Sequence, residues 1–128
     1  MKRSGLSLVE TIVALGIVSL VIILVVNLYP SAMATLRHAE RLGIADGLAH
    51  SLLEEQMARP FSQLTPGDSK DVDPQELEGI TYKCRSEVFK YPDTDEMRLL
   101  GLRVTVEWSY GSHKRRIVRE SLIHNLPP

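Results

Sequence analysis

The chain has 128 residues and a formal net charge of −1, with 44% apolar and 24% charged residues. This length suits one domain and is too short for two well-packed ones. The near-neutral charge lacks the basic excess of a nucleic-acid-binding protein, and the single cysteine, Cys84, excludes an internal disulfide.

The N-terminal segment is a long apolar run. Residues 6–26, "LSLVETIVALGIVSLVIILVV", carry a single charge, Glu10. As a helix rising about 1.5 Å per residue, such a run is about 31 Å long, close to the hydrocarbon thickness of a bilayer. Lys2 and Arg3 precede it, which favours a cytoplasmic N-terminus with the remaining chain on the other side. Residues 6–28 are therefore predicted to form a transmembrane helix.

Glu10 is the unusual residue of this run. A carboxylate at the centre of a membrane costs about 2.5–3.5 kcal/mol on insertion scales and normally has a partner. An uncleaved signal anchor explains the apolar run but gives Glu10 no partner. Cleavage between Gly5 and Leu6 would create an amine about one helical turn from Glu10, where a neighbouring copy could also reach it. A conventional cut after Ala34 is disfavoured, because the run exceeds the apolar core of about 7–15 residues in a secretory signal.

The stretch "KRSGLSLVETIVALGIV" resembles the N-terminal signal of type IV prepilins and type II secretion pseudopilins. The shared features are a basic leader ending in Gly, a Glu at the fifth position after it, and a long apolar helix. The resemblance implies that residues 1–5 are a leader, cut between Gly5 and Leu6 by a prepilin peptidase that also N-methylates Leu6. It further implies that Glu10 pairs with a Leu6 amine during assembly. Leu6 departs from the Phe or Met that is usual in the family.

The helix is predicted to continue to about residue 58 as an amphipathic segment. Pro30 is expected to kink it or to lie at the membrane exit, and Arg59 before Pro60 is expected to end it. One stripe at helical spacing predicts the face that packs on a sheet. The stripe consists of Leu36, Ala39, Leu42, Ala45, Ala49, Leu52 and Gln56.

Residues 60–78 are predicted to form a surface loop, since they hold three prolines and many acidic residues. Asp68, Asp71 and Asp73 lie within it, and their spacing does not fit an EF-hand. A solvated acidic loop is favoured over a calcium site, although ion binding by residues 68–73 stays open.

Residues 79–124 are predicted to form an antiparallel sheet. Polar and apolar residues alternate from Ile80 to Val88, which places Cys84 in the core, and again from Leu100 to Tyr110. Gly111–Ser112 is predicted to be a two-residue hairpin turn. The turn fixes a register that pairs Val106 with Ile117, Leu100 with Ile123, Glu107 with Arg116, Arg103 with Glu120, and Trp108 with an Arg115 that could stack on the indole.

The predicted fold is α+β: a long N-terminal helix, half membrane-spanning and half amphipathic, packed on a small antiparallel sheet. Pilins have the same outline. "ADGLAHSLLEEQMARPFSQL" and "LRVTVEWSYGSHKRRIVRESLI" look like V-type minor pilins or I-type minor pseudopilins. The resemblance implies a filament subunit of the bacterial inner membrane, with residues 29–128 in the periplasm. Its partners would be the prepilin peptidase, other pilin subunits and the inner-membrane assembly platform.

No catalytic constellation is evident, so neither enzyme activity nor a cofactor or metal is expected. The four histidines lack metal-ligand spacing, and no G-x-S-x-G, P-loop or G-x-G-x-x-G motif occurs. The alternative from a different class is an uncleaved single-pass anchor that carries an independent binding or docking module. Whether the filament would serve a pilus, DNA uptake or protein secretion stays open.

Overall fold

The computed structural model of the chain describes residues 5–126, so Lys2 and Arg3 of the predicted leader lie outside the described part. Within it, helix α1 spans Leu8–Met57, and a short 3-10 turn at Phe61–Gln63 leads to four strands. The strands are β1 (Ser69–Leu77), β2 (Ile80–Lys90), β3 (Leu99–Tyr110) and β4 (His113–His124). The predicted α+β class is confirmed. The chain divides into two compact units, residues 1–40 and 41–128.

The first unit contains the apolar part of α1. Its large apolar side chains from Leu8 to Tyr29 are all more than half exposed. Pro30 lies inside the helix, where it lacks the N–H of an ordinary helical residue. Hydroxyl groups donate to carbonyls nearby, Ser31 Oγ to Leu28 at 2.8 Å and Thr35 Oγ1 to Ser31 at 2.9 Å. The helix is assigned without a break at Pro30, and its predicted kink stays a prediction.

The second unit begins with the C-terminal part of α1, whose buried face packs on the sheet. Ala45 and Ala49 are fully buried, and their small side chains let the helix approach the strands closely. The predicted stripe is thus confirmed from Ala45 to Gln56. It is wrong at Leu42, which is 43% exposed, whereas Leu36 and Ala39 of the stripe belong to the first unit. The helix ends at Met57, close to the predicted end near residue 58.

The four strands form one antiparallel sheet in the order β1-β2-β3-β4. The register between β3 and β4 contains all five predicted pairs, and Gly111 has the positive φ (+59°) that the turn needs at its first position. Alternate strand residues face the helix and form the core. The largest fully buried side chains of this core are Tyr82, Leu100, Leu102, Val104 and Val106.

The predicted loop over residues 60–78 is wrong in its second half, because Ser69–Leu77 forms strand β1 and the sheet therefore begins before residue 79. β1 is an edge strand whose backbone pairs with β2, while only Val72 is half-buried. An edge strand with both faces largely solvated shows no alternation of apolar residues. Pro74 is accommodated where the register shifts between Val72 and Gln75, a bulge of the kind that tolerates proline at an edge.

The predicted stacking of Arg115 on Trp108 is not found among the described residues. Trp108 is only 3% exposed and its ring centroid lies 5.9 Å from that of Tyr82, so the indole faces the core. Guanidinium groups instead cover two other rings: Arg41 lies 3.6 Å from the centroid of Tyr110, and Arg103 lies 4.7 Å from that of Phe89.

Candidate functional site at the start of the helix

The Gly5–Leu6 peptide bond lies before the helix. Gly5, Leu6 and Ser7 have no regular secondary structure, and all three are exposed, Leu6 by 77%. A Cβ added at Gly5 would meet no atom within 4 Å. Backbone N–H and C=O groups inside a helix bond to one another, whereas those of residues 5–7 precede the helix and can be bound by another protein. The bond predicted to be cut is therefore accessible.

Ser7 caps the N-terminus of α1. Its Oγ accepts a hydrogen bond from the Glu10 amide at 3.2 Å, and its carbonyl accepts one from the Thr11 amide at 3.1 Å. This is the first half of the Ser-x-x-Glu capping box, in which the serine side chain satisfies an otherwise unpaired amide of the first turn. The apolar pattern does not reveal Ser7 as a site residue, but the spacing "SLVE" does.

Glu10 occupies the first turn of α1 and is exposed. Within residues 5–126 its carboxylate belongs to no ion pair. A carboxylate at a helix N-terminus gains about 0.3–1 kcal/mol from the helix dipole. That gain is smaller than the cost of about 2.5–3.5 kcal/mol for a charged side chain at the centre of a bilayer. If Glu10 lies below the membrane surface, the helix dipole does not offset the cost of burying its charge. A cation from outside residues 5–126 is then required.

The helix that follows Glu10 is long and apolar enough to cross a membrane. Its few hydroxyl groups donate to helix carbonyls, Thr11 Oγ1 to Ser7 at 3.3 Å and Ser19 Oγ to Leu15 at 2.8 Å. These polar atoms therefore need no water, as residence in lipid demands. The apolar side chains surround the helix on all sides, which suits contact with lipid or with other apolar helices.

A second candidate is the sheet face that points away from the helix, where charged side chains line an open cavity of about 890 Å³. Arg85 Nε lies 2.6 Å from Asp71 Oδ1, and this hydrogen bond holds the pKa of the Asp71 carboxyl below its usual range. Arg103 Nε bonds Glu120 at 2.6 Å and its guanidinium lies 3.7 Å from Glu87. Most of these charges thus pair with one another.

The acidic residues considered for calcium do not form an evident site. Asp71 lies in β1 and is engaged by Arg85, and the Asp68 carbonyl accepts a hydrogen bond from the Val88 amide at 2.8 Å. Among residues 5–126 no three His, Cys, Asp or Glu side chains are grouped as metal ligands. Asp71 thus already has a cation, the Arg85 guanidinium, as its partner.

Two buried groups carry no evident chemistry. Burial raises the pKa of the Cys84 thiol, which disfavours the thiolate that a nucleophile requires. The Tyr82 hydroxyl is buried without a hydrogen-bond partner in the described part of the chain, and burial raises its pKa. Of the histidines, His50 contacts Glu54 at 3.3 Å one helical turn away, on the exposed side of α1.

No protein-family model, curated protein or solved structure matches this chain. The architecture, one long helix packed on a four-stranded antiparallel sheet, is consistent with the outline expected for a pilin. A fold of this kind does not by itself assign a function. The functional argument therefore depends on residues 5–10 and on the helix that they begin.

Proposed function

We propose that this chain is a minor pilin or minor pseudopilin, a structural subunit that enters a type IV pilus or a type II secretion-like filament after its leader is removed. The observation that carries the proposal is the arrangement at the helix start. An exposed, non-helical Gly5–Leu6 bond directly precedes a capped apolar helix, and Glu10 in its first turn has no ion-pair partner within residues 5–126. The wider resemblance of the sequence to prepilins supports the same conclusion.

The proposed sequence of events begins in the inner membrane. The apolar part of α1 holds the precursor there, with the leader in the cytoplasm and residues 29–128 in the periplasm. A prepilin peptidase binds the segment before the helix and cuts after Gly5, which leaves a new amine on Leu6. The same enzyme methylates that amine.

Assembly then uses the charge pair that cleavage makes available. The apolar helix leaves lipid for the filament core and packs against helices of neighbouring subunits. There the Glu10 carboxylate meets the Leu6 amine of its own or a neighbouring chain. A buried charge is tolerated when it is paired, and such pairs set register between helices. The assembly platform of the inner membrane and the sister subunits are the partners in this scheme.

The alternative is an uncleaved single-pass anchor that presents residues 41–128 as an independent docking module. The apolar helix and the sheet fit this alternative equally well. The two differ at residues 1–10, since an anchor needs neither an accessible Gly5–Leu6 bond nor a carboxylate at position 10. The state of the N-terminus therefore distinguishes them.

The proposal is tested by co-expressing the full chain with a prepilin peptidase and measuring its intact mass. The expected product has lost residues 1–5 and begins at Leu6. Gly5→Leu should block the cut, because a side chain at this position obstructs a peptidase that accepts Gly. Gly16→Leu is the matched control, because a Cβ at either glycine meets no atom within 4 Å and a side chain can begin at both positions. An intact precursor in the wild type, or cleavage of the Gly5→Leu variant, would contradict the proposal.

A further inference from the structure

The two edges of the sheet carry opposite charge. β4 holds four basic residues and one acidic residue, for a net charge of +3, whereas β1 holds one basic and three acidic residues, for −2. An edge strand presents a row of unpaired N–H and C=O groups that can accept another strand. Because the charges are opposite, each edge complements the other rather than itself.

The β4 edge is regular and open. Its pairing with β3 runs without interruption from His113 to His124, and it has neither proline nor bulge. Val118 and Leu122, on the face away from the helix, are 45% and 48% exposed. Within residues 5–126, Lys114 and Arg116 belong to no ion pair. Among residues 41–126 no further strand pairs with this edge.

The β1 edge offers a shorter segment. Pro74 has no N–H to donate, and the register shift between Val72 and Gln75 bends the strand. The regular part, Ser69 to Val72, precedes these features, and Asp73 follows it directly. Asp71 and Asp73 both line the cavity on the face away from the helix. Asp71, which Arg85 already contacts, thus lies where β1 is still able to pair, and Asp73 lies at the start of the bulge.

The strand directions allow the β1 edge of one copy to meet the β4 edge of another in an antiparallel arrangement. The sheet has an even number of antiparallel strands, so β1 and β4 run in opposite directions. A second copy placed beside the first, turned only by the twist that accumulates from strand to strand, brings its β1 antiparallel to β4 of the first. Copies anchored in one membrane by the same N-terminal helix can approach each other side by side. A contact between β4 and a second β4 would instead join two strands of the same charge.

We propose that β4 of one copy takes the β1 edge of a second copy as an added strand. One antiparallel register satisfies the charges: Asp71 lies opposite Arg116, Asp73 comes to Lys114, and Ser69 lies opposite Val118. The contact is head-to-tail and leaves a free edge at each end, so it extends along a row of subunits. It is short and therefore weak in solution, and confinement of both copies to a membrane raises their effective concentration. The inference rests on the proposed function only in requiring copies anchored with one orientation.

Cysteine cross-linking of full-length chains in membranes tests this contact. Two differently tagged copies are co-expressed, one with Ser69→Cys and the other with Val118→Cys, and the membranes are oxidised. The native Cys84 is only 5% exposed, so wild-type chains are expected to give no dimer. A disulfide between the two tags is the expected result. A dimer formed by the Val118→Cys copy alone, which reports a contact between two β4 strands, or no dimer at all, overturns the proposal.

Charge reversal tests the register. Asp73→Lys in the copy that carries Ser69→Cys, or Lys114→Glu in the other, should each lower the disulfide yield about three- to fivefold. Both changes together restore opposite charges and should restore the yield. A restored yield excludes damage to the fold, because a second reversal on another copy would not repair it. A yield that stays low in the combined pair, while each single variant keeps the buried environment of Trp108, overturns the proposed register.

The same membranes separate this inference from the proposed function, since the mass of the monomer reveals its first residue. Chains that begin at Leu6 and give no disulfide refute the edge contact alone. Chains that retain Met1 and give the mixed disulfide refute the proposed cleavage and support the edge contact.

Discussion

Glu10 and Ser7 separate two roles of the helix start, charge pairing and capping. Glu10→Gln keeps the hydrogen bond to Ser7, because the donor is the backbone amide at 3.2 Å and Gln suits the same position of a capping box. It removes only the charge. Ser7→Ala removes the cap, which costs about 0.5–2 kcal/mol of helix stability, and keeps the charge. The two variants therefore form a matched pair.

The magnitudes predict opposite outcomes in assembly. Loss of one partner of a buried ion pair costs about 3–5 kcal/mol, which at about 1.4 kcal/mol per factor of ten lowers incorporation by roughly 100- to 4,000-fold. The cap is present both before and after incorporation, so its contribution cancels and Ser7→Ala should assemble nearly normally. Membrane insertion should be unchanged in both variants.

The assay measures the fraction of each variant in sheared or pelleted filaments against the fraction left in membranes, by immunoblot. Leader cleavage is verified in parallel, so that a processing defect is not mistaken for an assembly defect. Normal incorporation of Glu10→Gln would refute the charge-pair reasoning. Loss of assembly in Ser7→Ala with normal assembly of Glu10→Gln would show that the helix start matters through its cap.

Three further predictions concern the stability of the second unit, and buried Trp108, the only tryptophan, reports its unfolding by fluorescence in the detergent-solubilised chain. Tyr82→Phe should raise the unfolding free energy by about 1 kcal/mol, because it removes a buried hydroxyl that lacks a partner in the described part of the chain. A variant whose unfolding free energy falls by about 1 kcal/mol or more would indicate that the hydroxyl has a hydrogen-bond partner. Gly101→Ala should lower the unfolding free energy by about 1–3 kcal/mol, since the new Cβ would lie 2.3 Å from the Phe89 ring. Gly43→Ala, in open space, should instead stabilise the helix by about 1 kcal/mol. Equal effects of the two substitutions would contradict the close packing of Gly101 against Phe89. Breaking the ion pair of Arg119 with Asp46, which joins β4 to α1 at 2.7 Å, should cost about 0.2–1 kcal/mol in a double-mutant cycle and less at high salt, because both side chains are about half exposed.

The hairpin of β3 and β4 shows what the sequence determines. A two-residue turn with Gly111 at its first position fixes the register, and the alternation of buried and more exposed residues from Leu102 to Trp108 fixes the faces. Both signals are local, so Val106 and Ile117 could be paired from the sequence alone. Strand β1 lacks the alternation, because its side chains remain largely in solvent on both faces.

The helix shows where periodicity stops being informative. Leu42 belongs to the same stripe as Ala45 and Ala49, yet only the two alanines are buried. Periodicity identifies a face but does not say how far along the helix a partner covers it. The role of Glu10 is a different case, since the partner proposed for it arises only through cleavage or from another chain.

The N-terminus of the protein as it exists in its own host is the most direct test of this account. The chain is purified from native membranes, and its N-terminal peptide is sequenced by mass spectrometry. A start at Leu6, with or without a methyl group on the amine, is the predicted result. A protein that retains Met1 throughout, in cells whose other filament subunits are processed, would contradict the account and favour a single-pass anchor.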